Sequence, residues 1–248
     1  MCGTSRYLSA DTCVQTDSSP HIIKPADLQP FQTGADICWT LAGNQLVAAW
    51  TRQNKGDLTE LQKAACQIIP QGIGIGLSIR ELLRQAYMFS ALVLVRPLIE
   101  RAAVISYLHV HPEALDAWGN GWRQRDRPSL AAMMQTMAGG NATQDDAQRI
   151  VSAHNHIVHG DPLSCYHNLI HLADGDIGYA TGKVLQNPEL CDTIAMESQC
   201  YMIVLAGRMA AIFPEVAVPP MAEILDEYGQ QIDGEGLGSA GAPPSPSS

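Results

Sequence analysis

The stretch Ser78-Ile-Arg-Glu-Leu-Leu-Arg-Gln-Ala-Tyr-Met-Phe-Ser-Ala-Leu-Val-Leu-Val-Arg-Pro97 decides the fold class. Its first four residues have the capping-box form, in which the serine side chain accepts a backbone N–H and the glutamate three residues on reaches back to the cap. The apolar run behind it continues to Val110. There His111-Pro112 stops it, because a residue before proline is pushed out of helical geometry. The most apolar part, Ala86 to Val95, is bracketed by Arg84 and Arg96. That is far short of the roughly 20 apolar residues a membrane span needs, so it reads as a core helix. Pro97 lies inside the run and predicts a kink or two abutting helices there.

Working outward, Asp57-Leu-Thr-Glu60 has the same capping form and opens a helical run to about Ile69. Shorter helices are expected over Glu113 to Trp118 and over Ser129 to Met137, the latter ended by Gly139-Gly140. Thr143-Gln-Asp-Asp146 starts another, which carries Arg149 and runs to about Val158 before Gly160-Asp161-Pro162. Asn187-Pro188-Glu189 places a cap and a first-turn proline ahead of a long apolar run to Phe213, and a last short helix is expected near Met221 to Tyr228. Strand character is confined to Asp36–Trp50, which reads as a hairpin around Gly43-Asn44, and to Ile73–Leu77. The expected fold is all-α, an up-and-down helical bundle over residues 56–228. An irregular N-terminal arm over 1–55 precedes it, and a low-complexity, disordered C-terminal tail over 229–248 follows.

Composition bounds the function classes. Hydrophobic residues make up 46% of 248, enough for a core that needs no disulfide or metal staples. A formal net charge of -10 repels polyanions at long range, so any nucleic-acid contact must be local. The seven cysteines are odd in number and scattered, with no C-x-x-C pair, and read as reduced, mostly buried thiols. With no apolar signal region behind Met1, the expected location is cytoplasmic, without membrane association.

Two tempting signals fail on spacing or context. Gly72-Ile-Gly-Ile-Gly76 lacks the third glycine of a dinucleotide fingerprint, since Leu77 stands at the sixth position. Arg123, Arg125 and Arg127 alternate around Asp126 and would give three phosphate contacts along an extended strand, but a solvated loop explains them as well.

Chemistry concentrates elsewhere: five of eight histidines fall between His154 and His171. On a helix at about 100° per residue, His156 and His159 sit roughly 60° apart, and Arg149 shares the His156 face. His154 points some 140–160° away from both. His167 and His171, four residues apart, have metal-ligand spacing if helical. A zinc site of His156, His159, His167 and His171 is sterically allowed but has no complete ligand motif.

The segment His154-Asn155-His156-Ile-Val158-His159-Gly160 resembles the signature of the HEPN superfamily of helical bundles, Arg-Asn-x-x-x-His near a helix end, often followed by Gly. A second region, Arg96-Pro-Leu-Ile-Glu100-Arg101 through Tyr107-Leu-His-Val-His-Pro-Glu113, looks like the long-helix motif of a HEPN-like bacterial domain family, so the likeness spans about residues 60 to 215. It implies a HEPN-like bundle and a metal-free endoribonuclease site, often completed across a homodimer, with no cofactor. By that resemblance His159 is the catalytic histidine and Asn155 its polar partner. His154 stands where the arginine belongs, and a neutral imidazole supplies no fixed positive charge. Arg149, a turn and a half earlier, is the candidate substitute, with His156 beside it.

One reading is therefore an RNA-cleaving or RNA-binding protein using His154, Asn155, His156, His159 and Arg149. Its alternative is a non-catalytic helical scaffold that binds a protein partner or a second copy of itself. A histidine-ligated, metal-dependent hydrolase is the third.

Overall fold

A computed structural model describes residues 35–123, 125–139, 141–165, 169–171, 177–179 and 188–216. The expected arm before residue 35, the helix near Met221 and the tail lie outside these residues.

The architecture is an all-α packed bundle with one small antiparallel ribbon. Helices run in the order α1 (Ala35–Gln53), α2 (Glu60–Arg84), α3 (Met88–Val110), α4 (Leu115–Gly119), α5 (Leu130–Met137), α6 (Gln144–Val158), α7 (Pro162–Cys165) and α8 (Pro188–Ile212). The ribbon pairs β1 (Leu169–His171) with β2 (Ile177–Tyr179), placing Ile170 opposite Gly178. Among the described residues no helix is long and apolar enough to cross a membrane.

The central element is α3, the most uniformly apolar helix: α2 and α8 pack on it and on each other, while α5 and α6 cover another side. Its residues Val95, Leu98, Ile99, Ala102, Ala103, Ile105 and Leu108 are fully buried, which explains the all-round apolar sequence. Helix α1 closes the α8 side, with the Trp50 ring edge-on to Phe213 at 6.1 Å.

Several local expectations are corrected. The hairpin expected over Asp36–Trp50 is helix α1. Thr40, Gly43 and Val47 are its buried positions, a helical rather than an alternating spacing, and helix formers such as Leu41, Ala42, Gln45, Leu46 and Ala48 fill the rest. The strand expected over Ile73–Leu77 is the middle of α2. The two runs expected to begin near Asp57 and Ser78 are divided differently, because α2 runs unbroken through Pro70 and Ser78. Its start is capped by Thr59, which exchanges hydrogen bonds with Gln62, not by Asp57. Ser78 is no cap: its hydroxyl donates back to the Gly74 carbonyl at 2.9 Å. Pro70 is exposed, so its missing N–H falls on the outer face while Ile69, Gly72, Ile73, Gly76, Ile79 and Leu83 line the buried one.

The chain turns at Gln85–Tyr87 rather than at Pro97, which lies within α3. The turn is a Schellman motif: Tyr87 N–H donates to the Leu82 carbonyl at 2.8 Å and Ala86 N–H to that of Leu83 at 3.0 Å. Ala86 takes the left-handed conformation there, φ 59°. No glycine marks the spot, so the sequence concealed it.

Gly72 and Gly76, discarded as a dinucleotide signal, have a packing role. A Cβ at Gly72 would come within 2.5 Å of Leu205 Cδ1, and one at Gly76 would overlap Met202 Sδ, so bare backbone lets α2 lie close to α8.

Candidate functional site

Helix α6 carries most of the candidate residues, and its ends are firmly set. Thr143 caps it reciprocally with Asp146: the Asp146 N–H donates to the threonine hydroxyl oxygen at 3.1 Å, and the Asp146 carboxylate accepts from Thr143 N–H at 3.2 Å. Hydrogen bonds from the Thr143 side chain and backbone, and then from Arg149, hold the Asp146 carboxyl below its ordinary range. At the other end Gly160 adopts φ 69° and Asp161 N–H donates to the His156 carbonyl, again closing a Schellman turn.

The buried face of α6 is Ala147, Val151 and His154, spaced four and three residues apart. His154 therefore occupies a core position. It is 5% exposed, and its Nε2 lies 2.8 Å from Oε1 of Glu197 on α8. Its Nδ1 is buried and meets no hydrogen-bond partner among the described residues. The carboxylate can only accept, so Nε2 carries the proton facing it. One turn earlier, the Val151 carbonyl accepts from Nη1 of Arg96 at 3.2 Å, which ties α3 to α6.

The other candidates are on the opposite side. Arg149 is well exposed and its guanidinium binds Asp146. His156 is exposed, with Nδ1 2.9 Å from Oδ2 of Asp161. His159 is the exposed C-cap residue, and its N–H donates to the Asn155 carbonyl at 2.9 Å. The Asn155 side chain is half-buried and forms no hydrogen bond among the described residues. The structure thus brings His154 to Glu197 and His156 to Asp161, and leaves His154 apart from Arg149, His156 and His159.

Sequence reasoning missed Glu197 altogether. It stands 43 residues beyond His154, and no local signal links the two. Asp161 was visible only as part of a helix stop. His167 lies outside the described residues, as does the side chain of His171. Among the described residues, no three His, Cys, Asp or Glu side chains gather closely enough to hold a metal ion.

The cysteines with described side chains are poor nucleophiles. Burial pushes the thiols of Cys66 and Cys200 up, and that of Cys191, reinforced by the Asp192 charge, to about 11.

Compared with protein-family models, curated proteins and solved structures, the chain matches none.

Proposed function

We propose that the chain is a HEPN-like helical bundle without a nuclease centre, which acts by binding a protein partner. The burial of His154 carries this reading. A composite nuclease needs a permanent cation where this residue stands, open to a phosphate. Here the position holds an imidazole turned into the core, with a carboxylate 2.8 Å away, and an incoming phosphate would meet negative charge. Exposed apolar side chains on the two helices support binding. Of the five large apolar side chains exposed among the described residues, Ile150, Val158 and Met196 lie on α6 and α8, the two helices that His154 and Glu197 join.

The test has two parts. The full chain, incubated with total RNA in the presence of chelator, is expected to leave the RNA intact. A partner captured by cross-linking is expected to be lost with Ile150→Asp and with Met196→Asp, both at unchanged melting temperature. RNA cleavage that disappears with His159→Ala, or capture indifferent to both charged variants, overturns the reading.

A second reading rests on one specific observation, the Asp161 carboxylate against Nδ1 of the exposed His156. That contact orients the ring and leaves Nε2 available to take a proton from a ribose 2′-hydroxyl. Attack of that oxygen on the adjacent phosphorus would break the bond to the 5′-oxygen, which takes a proton from solvent as it leaves, and give a cyclic phosphate, with Arg149 on the same helical face to steady the charge. Chelator-resistant cyclic-phosphate ends that vanish with His156→Ala and persist with His154→Gln would favour it.

A further inference from the structure

Charge is distributed unevenly along the loop that follows α4. Asp126 and Arg127 both donate their N–H to the Arg123 carbonyl, at 2.9 and 3.0 Å, so the segment turns and does not form the extended strand that would align three guanidinium groups. Arg125 takes up the Asp126 carboxylate, with Nε 3.6 Å from Oδ1. Arg127 is exposed and makes no side-chain hydrogen bond or ion pair among the described residues. It stands on the wall of a cleft of about 450 Å³ between α3 and the start of α5. That volume lies within the range of small-molecule sites, about 300–1,000 Å³.

The other charges of the lining, Arg96 and Glu100, cancel. Glu100 is engaged at both carboxylate oxygens, Oε1 by Nε of Arg96 at 3.3 Å and Oε2 by Nη1 of Arg101 at 3.8 Å. Arg96 is fixed a second time, its Nη1 donating to the Val151 carbonyl, while Arg101 turns towards α2, where its Nε donates to Gln71 at 2.9 Å. Arg127 is therefore the uncompensated charge of the cleft. The remaining wall is Trp122, half-buried and edge-on to Tyr107 with centroids 6.4 Å apart, followed by Pro128, Ser129 and Leu130. The Ser129 hydroxyl oxygen already accepts the Ala132 N–H at 3.1 Å as the cap of α5. No carboxylate or amide side chain in the lining is left to accept a hydrogen bond from a ligand.

We infer that this cleft binds a small aromatic carboxylate, a single negative charge on a flat ring without hydrogen-bond donors. A carboxylate brings one charge to one guanidinium, and its two coplanar oxygens match the planar fork of Arg127. A phosphate ester would bring about -1.5 to -2 at pH 7, and the excess would face Glu100 on a protein whose formal charge is already -10. Trp122 favours an aromatic body through ring contact, and Pro128 and Leu130 continue the apolar wall. Donor groups on that body would give up water for a lining with no carboxylate or amide side chain left to receive them. The cleft is separate from the α6 histidines, and its occupancy does not depend on whether the protein binds a partner.

Calorimetric titration of the full chain with benzoate and with 2-naphthoate tests this, with benzamide, 2-naphthamide, acetate and phenyl phosphate as separate arms. At least one of the two aromatic carboxylates is expected to bind saturably. Its neutral amide, acetate and phenyl phosphate should each bind about tenfold more weakly or worse. Arg127→Gln should weaken binding about tenfold, whereas Arg123→Gln, which removes the same charge from the same loop outside the cleft, should leave it unchanged. Trp122→Leu should weaken it about threefold to tenfold, and Trp122→Phe, which keeps a ring against Tyr107, by less. No saturable binding of either carboxylate overturns the assignment. So does binding that survives Arg127→Gln, an equal loss with Arg123→Gln, or an amide or phenyl phosphate that binds as tightly as the carboxylate.

Discussion

Nε2 of His154 and Oε1 of Glu197 meet at 2.8 Å, joining α6 to α8 from positions 43 residues apart. Replacing the ring by alanine removes that contact and leaves a void in the α6 core face, but Glu197, its side chain 26% exposed, can rehydrate. His154→Ala is therefore expected to cost about 2 kcal/mol, below the ~3–5 kcal/mol of a broken, fully buried ion pair. His154→Gln, which keeps a donor, should recover part of it. Urea denaturation measures both, and a loss too small to resolve would mean that the bridge does not hold these helices together.

The glycines of α2 separate packing from helix propensity. Gly74 is exposed with nothing near its absent Cβ, so Gly74→Ala should stabilise by about 0.5–1 kcal/mol. Gly76→Ala gains the same propensity but drives a methyl into Met202, whose Cγ would lie only 3.0 Å away, and should destabilise by about 1–2 kcal/mol net. Opposite signs in thermal melts are the expected result. Equal signs would contradict the close approach of α2 and α8.

Two serine and threonine positions test whether α2 is one helix. Thr59→Ala removes a true capping box and is expected to cost about 1 kcal/mol. Ser78→Ala removes only a back-bond to the Gly74 carbonyl within the helix, and should be neutral or gain up to about 0.5 kcal/mol. A loss at Ser78 as large as that at Thr59 would instead indicate a helix starting at Ser78.

His109 predicts part of the acid sensitivity. Its Nδ1 is buried without a hydrogen-bond partner among the described residues, and burial, then the nearby Arg208 charge, lowers its pKa below the ordinary 6.5. As pH falls through 6.5 the unfolded chain takes up a proton that the folded one still refuses, so stability drops from there down to the folded pKa. Urea midpoints should fall less between about pH 7.5 and about pH 5.5 in His109→Gln than in the natural chain. A variant with the same or a steeper fall would rule out this role.

Much of the fold was legible. The stops at His111-Pro112 and Gly160, the caps at Ser129 and Thr143, and the start of α8 at Pro188 are all local devices, written in the residues that perform them. The failures have physical causes. Alanine in a left-handed turn at Ala86 carries no glycine signal. Pro70 is tolerated because its outer face needs no N–H partner, and Gly43-Asn44 sits in a helix because its neighbours bury at helical spacing against α8 and α2. For the site, periodicity correctly separated His154 from His156 and Arg149, but nothing in the α6 segment indicated which side faced the core.

By itself the sequence determined a predominantly helical chain and the ends of α5, α6 and α8, because capping hydrogen bonds, proline geometry and apolar spacing act within a few residues. Only the tertiary structure decided that His154 faces Glu197, that Gly72 and Gly76 admit α8, and that Trp122 and Arg127 share a cleft with Arg96. Those relationships join residues distant in the chain, and their energies depend on burial and on the position of the second helix, neither of which a local pattern encodes.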